Sequence, residues 1–168
     1  ACVAQSRRLC RRGGKRQGPY VKQSGATTVR SLSGGTGVGA DVEGLALVSR
    51  HGFGVRYDLD PATGLIANPQ HDLYGESLRD KILVFPFPKG GVAAAWALAE
   101  LVERGIGPLG IVFRNASPVF VQGAVFAAIA ILHHLREDPV EHVRNGDRVR
   151  LRPRAGTLEI VHRVAMPP

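Results

Sequence analysis

The chain has 168 residues, of which 44% are hydrophobic, and a formal net charge of +8. That length allows one domain of ordinary size plus an extension, with enough apolar material for a core. The composition excludes a disordered chain and a disulfide-stapled miniprotein, and no apolar run nears the roughly 20 residues that cross a bilayer.

The excess charge sits at one end. Arg7, Arg8, Arg11, Arg12, Lys15, Arg16, Lys22 and Arg30 all precede the first acidic residue, Asp41, and the rest of the chain carries 14 basic and 14 acidic residues. The body is therefore formally neutral and offers no electrostatic footprint for nucleic acid. Residues 1–40 are rich in Arg, Gly, Ser and Gln, which predicts a basic disordered leader. A basic arm that contacts polyanions is the alternative for the same stretch. The domain proper is expected over 41–168. Both cysteines, Cys2 and Cys10, precede it, so the body needs no oxidising compartment and a cytoplasmic setting follows.

Glu43 to Ser49 reads as a strand, and Phe53 to Tyr57 as a second short one. Asp60-Pro61-Ala62-Thr63-Gly64 is a turn, with Pro fixing φ and Gly supplying a positive φ. Leu65 to Ala67 is a further short strand, followed by a polar loop to Ser77. Lys81 to Phe85 is a buried central strand. Pro86 to Gly91 ends it, and Val92 to Arg104 is a helix with Gly105 just past its end. Leu109 to Phe113 is the next buried strand. Ser117-Pro118 caps a helix running to Ala128, and Ile129 to Leu132 is a strand. Arg148 to Arg152 and Thr157 to His162 alternate about a Pro153–Gly156 turn, which predicts an antiparallel hairpin. The element order predicts an α/β domain in three layers: a small parallel sheet with two main helices, packed on an antiparallel β layer.

The loop Pro86 to Gly91 leaves a buried strand and enters a helix, the place where open α/β sheets bind ligands. Gly90 and Gly91 let a ligand approach the backbone, the helix start favours an anion, and Lys89 adds a cation. These three residues, with Asn115 at the next strand end, are the candidate substrate-binding set. The bland alternative is an ordinary glycine-containing turn with a solvated lysine. His133 and His134, adjacent on a strand, point to opposite faces, and His51, His71, His142 and His162 read as solvated, so no metal ligand is assigned. Ser49 has no local base motif, Asp58 and Asp60 read as turn caps, and Trp96 reads as core.

An ordered series of short motifs resembles the aconitase X swivel-domain, or small-subunit, family. It comprises Glu43-Gly44, Leu47-Val48-Ser49, Asp60-Pro61-Ala62-Thr63-Gly64, His71-Asp72-Leu73, Gly75-Glu76-Ser77-Leu78, Ile82 to Pro86, Lys89-Gly90-Gly91, Asn115, Pro118-Val119, Gln122-Gly123-Ala124 and Asn145-Gly146-Asp147-Arg148-Val149. The resemblance spans residues 43 to about 162. It implies a swivelling β/β/α fold and a large aconitase X partner subunit that holds the iron–sulfur cluster, leaving none bound by this chain. It implies a non-autonomous subunit of a hydro-lyase acting on a small hydroxy acid: cis-3-hydroxy-L-proline in bacterial relatives, the substrate expected here, or 5-phosphomevalonate in archaeal ones. Members of the family carry serines in the loop that is Phe87-Pro88-Lys89-Gly90-Gly91-Val92 here, and one of them is the base. This chain has none, so its catalytic residue is unassigned. A non-catalytic ligand-binding or regulatory module on the same fold is therefore the alternative. A phosphohistidine-type transfer domain would need a histidine where Ala93 to Ala95 stand.

Overall fold

Strands that are apolar on both faces belong in the middle of a sheet covered on both sides, and three such runs form the centre of this one. The computed structural model describes residues 28–164. Its strands are β1 (Arg30–Leu32), β2 (Thr36–Val38), β3 (Val42–Val48), β4 (Lys81–Phe85), β5 (Gly110–Phe113), β6 (Ala130–His133), β7 (Arg148–Arg152) and β8 (Thr157–His162). Its helices are α1 (Val55–Asp58), α2 (Val92–Glu103), α3 (Pro118–Phe126) and α4 (Pro139–His142), of which α1 and α4 are single turns.

All eight strands form one open sheet in the order β1-β8-β7-β3-β4-β5-β6-β2. β3, β4, β5 and β6 run parallel, with Leu83 beside both Leu47 and Ile111, and Ile111 beside Ile131. β3 also pairs with β7 antiparallel, and β7 with β8, so the expected hairpin is present with its expected bounds.

Side chains alternate across these strands. Leu47, Leu83, Phe85, Ile111, Phe113 and Ile131 face α2 and α3, where they meet Ala94, Leu98, Leu101, Phe120 and Ala124. Ala46, Ile82, Val84, Val112, Ala130 and Leu132 face the other way, onto Val149, Leu151, Leu158 and Ile160 of the hairpin. The sheet thus curls until its antiparallel end covers its parallel centre, and Gly35 N–H donates to Gly156 O at 3.1 Å where the two meet. Helices, parallel strands and antiparallel strands are the three expected layers, with both β layers belonging to a single sheet.

Two expectations are corrected. A leader reaching residue 40 does not fit, because β1 pairs with β8 and β2 with β6, forming the two edge strands of the sheet. Burial of Leu32 and backbone pairing outweigh the polar composition of this stretch; residues 1–27 lie outside the described residues. Phe53 to Tyr57 is not a strand. Only Phe53 bridges, to Pro88, and the chain then makes the one turn α1, because Gly54 O accepts from Tyr57 N–H and Asp58 N–H while the Asp58 carboxylate accepts from Gly54 N–H.

Candidate functional site

The C-terminal ends of the parallel strands carry the loops that matter. β4 runs out at Phe85, and the chain passes through Pro86 to Gly91 into α2. Gly90 takes φ +101°, a conformation that glycine adopts without strain. Gly91 is the N-cap of α2 and provides no side-chain oxygen, and the first turn of the helix holds no acidic residue. The early N–H groups of a twelve-residue helix therefore border an open cleft of about 370 Å³, lined by Arg56, Tyr57, Gly90, Gly91, Ala93 and Ala94.

Lys89 directly precedes Gly90 but is not itself among the lining residues; it is half-buried, and its Nζ lies 3.3 Å from Asp58 Oδ2. Asp58 is far from a simple turn cap: it is 1% exposed, and besides Lys89 its carboxylate accepts from Gly54 N–H and from Asn68 Nδ2. Asp60 does cap its turn, accepting from Ala62 N–H and the Thr63 hydroxyl. Of the predicted set, Gly90 and Gly91 line the cleft, and Lys89, the residue before them, does not. Asn115 is placed at the end of β5, where its backbone N–H donates to Pro86 O at 3.1 Å, and it does not line the cleft. Arg56 is a cleft cation that the sequence did not single out; it lies within the Phe53 to Tyr57 stretch, which reads as a strand in the sequence.

Behind the loop lies a second group of polar side chains. The Ser49 hydroxyl donates to Asp72 Oδ1 at 2.6 Å, Arg50 N–H donates to Asp72 Oδ2, and His51 N–H donates to Ser49 Oγ. Burial alone would raise the Asp72 pKa; the Ser49 and Arg50 hydrogen bonds outweigh it and hold the carboxyl below its ordinary value. His71 was expected in solvent. Its side chain is 1% exposed, packed between Phe85 and His51, because the 68–78 loop folds down over the strand ends. That burial pushes the His71 pKa below the usual imidazole value, against the pull of Asp72. Ser49 thus has a carboxylate partner that its sequence neighbourhood does not supply.

Two further expectations change. β6 ends at His133, and His134 turns at φ +56°, so the two rings do not diverge: their Nδ1 atoms lie 2.9 Å apart. Trp96 is not core. Ala94, Leu98 and Leu101 carry the buried stripe of α2, and Trp96, two residues from Ala94 and from Leu98, points outward at 67% exposure, stacked on Phe126.

The profile of the family described as Aconitase X swivel domain matches residues 31–160. The phosphomevalonate dehydratase small subunit of Methanopyrus kandleri is 38% identical over 119 residues, which cover 71% of this chain and 87% of that one. That of Methanococcoides burtonii is 33% identical over 121 residues, covering 72% and 88%. Among solved structures, the aconitase X of Thermococcus kodakaraensis in its holo-form superposes with a TM-score of 0.73 at 28% identity, covering 79% of this chain and 99% of that chain. The fold is that of a swivel domain, here with the loops described above at one end of its parallel strands. The chain belongs to the aconitase X swivel-domain family.

Proposed function

We propose that this chain is the small, swivelling subunit of an aconitase X-type hydro-lyase, acting in the cytoplasm with a large subunit that carries the iron–sulfur cluster. The two cysteines of the chain, Cys2 and Cys10, lie outside the described residues, and the donors at the cleft are oxygen and nitrogen groups, which do not suit a thiolate-held cluster. The contribution of this chain is then to bind and orient the acid. The start of α2 receives a carboxylate or phosphate, Arg56 and Lys89 supply positive charge beside it, and closure of the domain shuts out water.

The observation that carries this reading is the uncapped start of α2 at a cleft with Arg56 in its wall, within a chain related along most of its length to small subunits. Substrate class follows from the same features: a small hydroxy acid, with 5-phosphomevalonate favoured by the names of the relatives and cis-3-hydroxy-L-proline the other candidate. The test is co-expression with the large subunit, followed by dehydration assays on both acids. Turnover of either by the complex, and by neither subunit alone, supports the proposal. Absence of a complex, or dehydration by the small chain unaided, overturns it.

A second reading rests on one specific observation. Pro86 to Trp96 contains no side-chain hydroxyl and no group able to take a proton at neutral pH other than through Lys89. A ligand-binding subunit without a chemical role would show ligand-induced stabilisation of the complex with no turnover.

A further inference from the structure

We propose that His51, His71 and Asp72 form a binding site for one divalent first-row transition ion, a site independent of the hydro-lyase reading. One donor atom from each of the three lies within 4.8 Å of the others. His71 Nδ1 stands 3.1 Å from Asp72 Oδ1, and His51 Nδ1 stands 3.9 Å from the same oxygen. Metal–nitrogen and metal–oxygen bonds of about 2.0–2.2 Å set neighbouring donors roughly 3 Å apart. The His71–Asp72 pair already meets that spacing. His51 needs only a small inward turn of a half-exposed ring.

The site is built in advance. The Ser49 hydroxyl and Arg50 N–H hold both oxygens of Asp72, and Ser49 Oγ also accepts from His51 N–H, so one hydroxyl fixes the carboxylate and the backbone of a neighbouring ligand. The His71 ring is buried against Phe85 and edge-on to His51. Its Nδ1 accepts a 3.1 Å hydrogen bond from Leu73 N–H, which places the ring proton on Nε2, a buried atom without a partner. Nδ1 therefore presents a lone pair beside a carboxylate oxygen at 3.1 Å. Two acceptors that close repel unless a proton or a metal cation stands between them. An ion there takes the Nδ1 lone pair in place of the 3.1 Å Leu73 N–H hydrogen bond and removes that repulsion.

Two imidazoles and one carboxylate select zinc, iron, cobalt or nickel over magnesium or calcium, which prefer oxygen donors. Three protein ligands leave coordination positions open, and both His51 and Asp72 reach solvent, so an oxygen ligand can enter. The same segment leads straight to the cleft: Phe53 N–H donates to Phe87 O, and Lys89 N–H donates to Phe53 O. The sequence assigned no metal ligand to this chain, because nineteen residues separate the two histidines and only folding joins them.

The test uses the full chain carrying Cys2→Ser and Cys10→Ser, stripped with a chelator and titrated with Zn²⁺ by calorimetry and with Co²⁺ by visible absorption. One ion per chain is expected. Binding should weaken about tenfold or more in His51→Ala and in Asp72→Asn, with unchanged far-UV circular dichroism, and should survive the double substitution His133→Ala/His134→Ala. His51 is half-exposed, so its variant remains informative even if Asp72→Asn unfolds. Absence of saturable uptake overturns the proposal. So does uptake that is unchanged in His51→Ala, or that disappears with His133 and His134 instead.

Discussion

Lys89 Nζ lies 3.3 Å from Asp58 Oδ2, so the cation of the loop that leads into α2 is held by a buried carboxylate. The two partners are unequal. Asp58 also accepts from Gly54 N–H and Asn68 Nδ2, whereas Lys89 is more than a third exposed. Asp58→Ala strips acceptors from buried donors and should cost about 2–4 kcal/mol. Lys89→Ala should cost about 1 kcal/mol, since solvent screens the pair. Urea unfolding of the two variants decides; equal losses would contradict the central place given to Asp58.

Gly90 and Gly91 should behave differently although adjacent. Gly90 sits at φ +101°, so Gly90→Ala should destabilise the chain by about 1–2 kcal/mol. A methyl group on Gly91 would meet no atom within 4 Å, and its φ of −123° lies outside the left-handed region. Gly91→Ala should therefore leave stability within about 0.5 kcal/mol, while placing a methyl at the mouth of the cleft and lowering kcat/KM of the reconstituted complex. Unfolding curves and an activity assay on the same two variants separate the effects.

Glu43 on β3 binds Arg148 at 2.6 Å and Arg150 at 2.9 Å, both on β7. The Arg148 hydrogen bond above all, with Arg150, draws the Glu43 pKa below its ordinary value of 4.5, against the effect of burial. A carboxyl with a lowered folded pKa stabilises fully above its unfolded value, and the gain disappears as pH falls through the folded one. Stability should thus fall on acidification below about pH 4.5, and the fall should be shallower in Glu43→Gln. The measurement is the urea midpoint from pH 6 to 3, where parallel curves for the two proteins would refute the network.

Trp96 is the sole tryptophan, stacked on Phe126 at an interplanar angle of 9°. Its emission should be red-shifted and readily quenched by acrylamide, as expected of an indole two-thirds in water. Trp96→Ser should change stability by no more than about 1 kcal/mol. A blue-shifted, protected emission from the isolated chain would put this side chain elsewhere.

Much of this architecture was legible in the amino-acid order. Lys81 to Phe85 and Leu109 to Phe113 are short apolar runs that only a doubly covered strand accommodates, and Ser117-Pro118 marks the start of α3 through cap and ring chemistry. The edges were not legible: β1 and β2 are three residues each, and only Leu32 among them is buried, so neither has a periodicity to read. The outward place of Trp96 is legible too, because a stripe through Ala94, Leu98 and Leu101 leaves position 96 on the other side. The Ser49–His51–His71–Asp72 group was beyond reach. Its members meet only because two irregular loops converge over the ends of β3 and β4, and irregular loops carry no repeating pattern.

The curled sheet has a consequence for where the folded unit begins. Arg30 to Leu32 occupy the outer hydrogen-bonding row of β8, and Thr36 to Val38 that of β6. A polypeptide starting at Asp41 would leave both rows bare, with Ile160 and Ile131 beside them, and bare rows of this kind recruit strands from other molecules. Residues 30–38 cover both rows and leave as the margins of the sheet two strands of only three residues, the short kind of edge that offers another chain little to pair with.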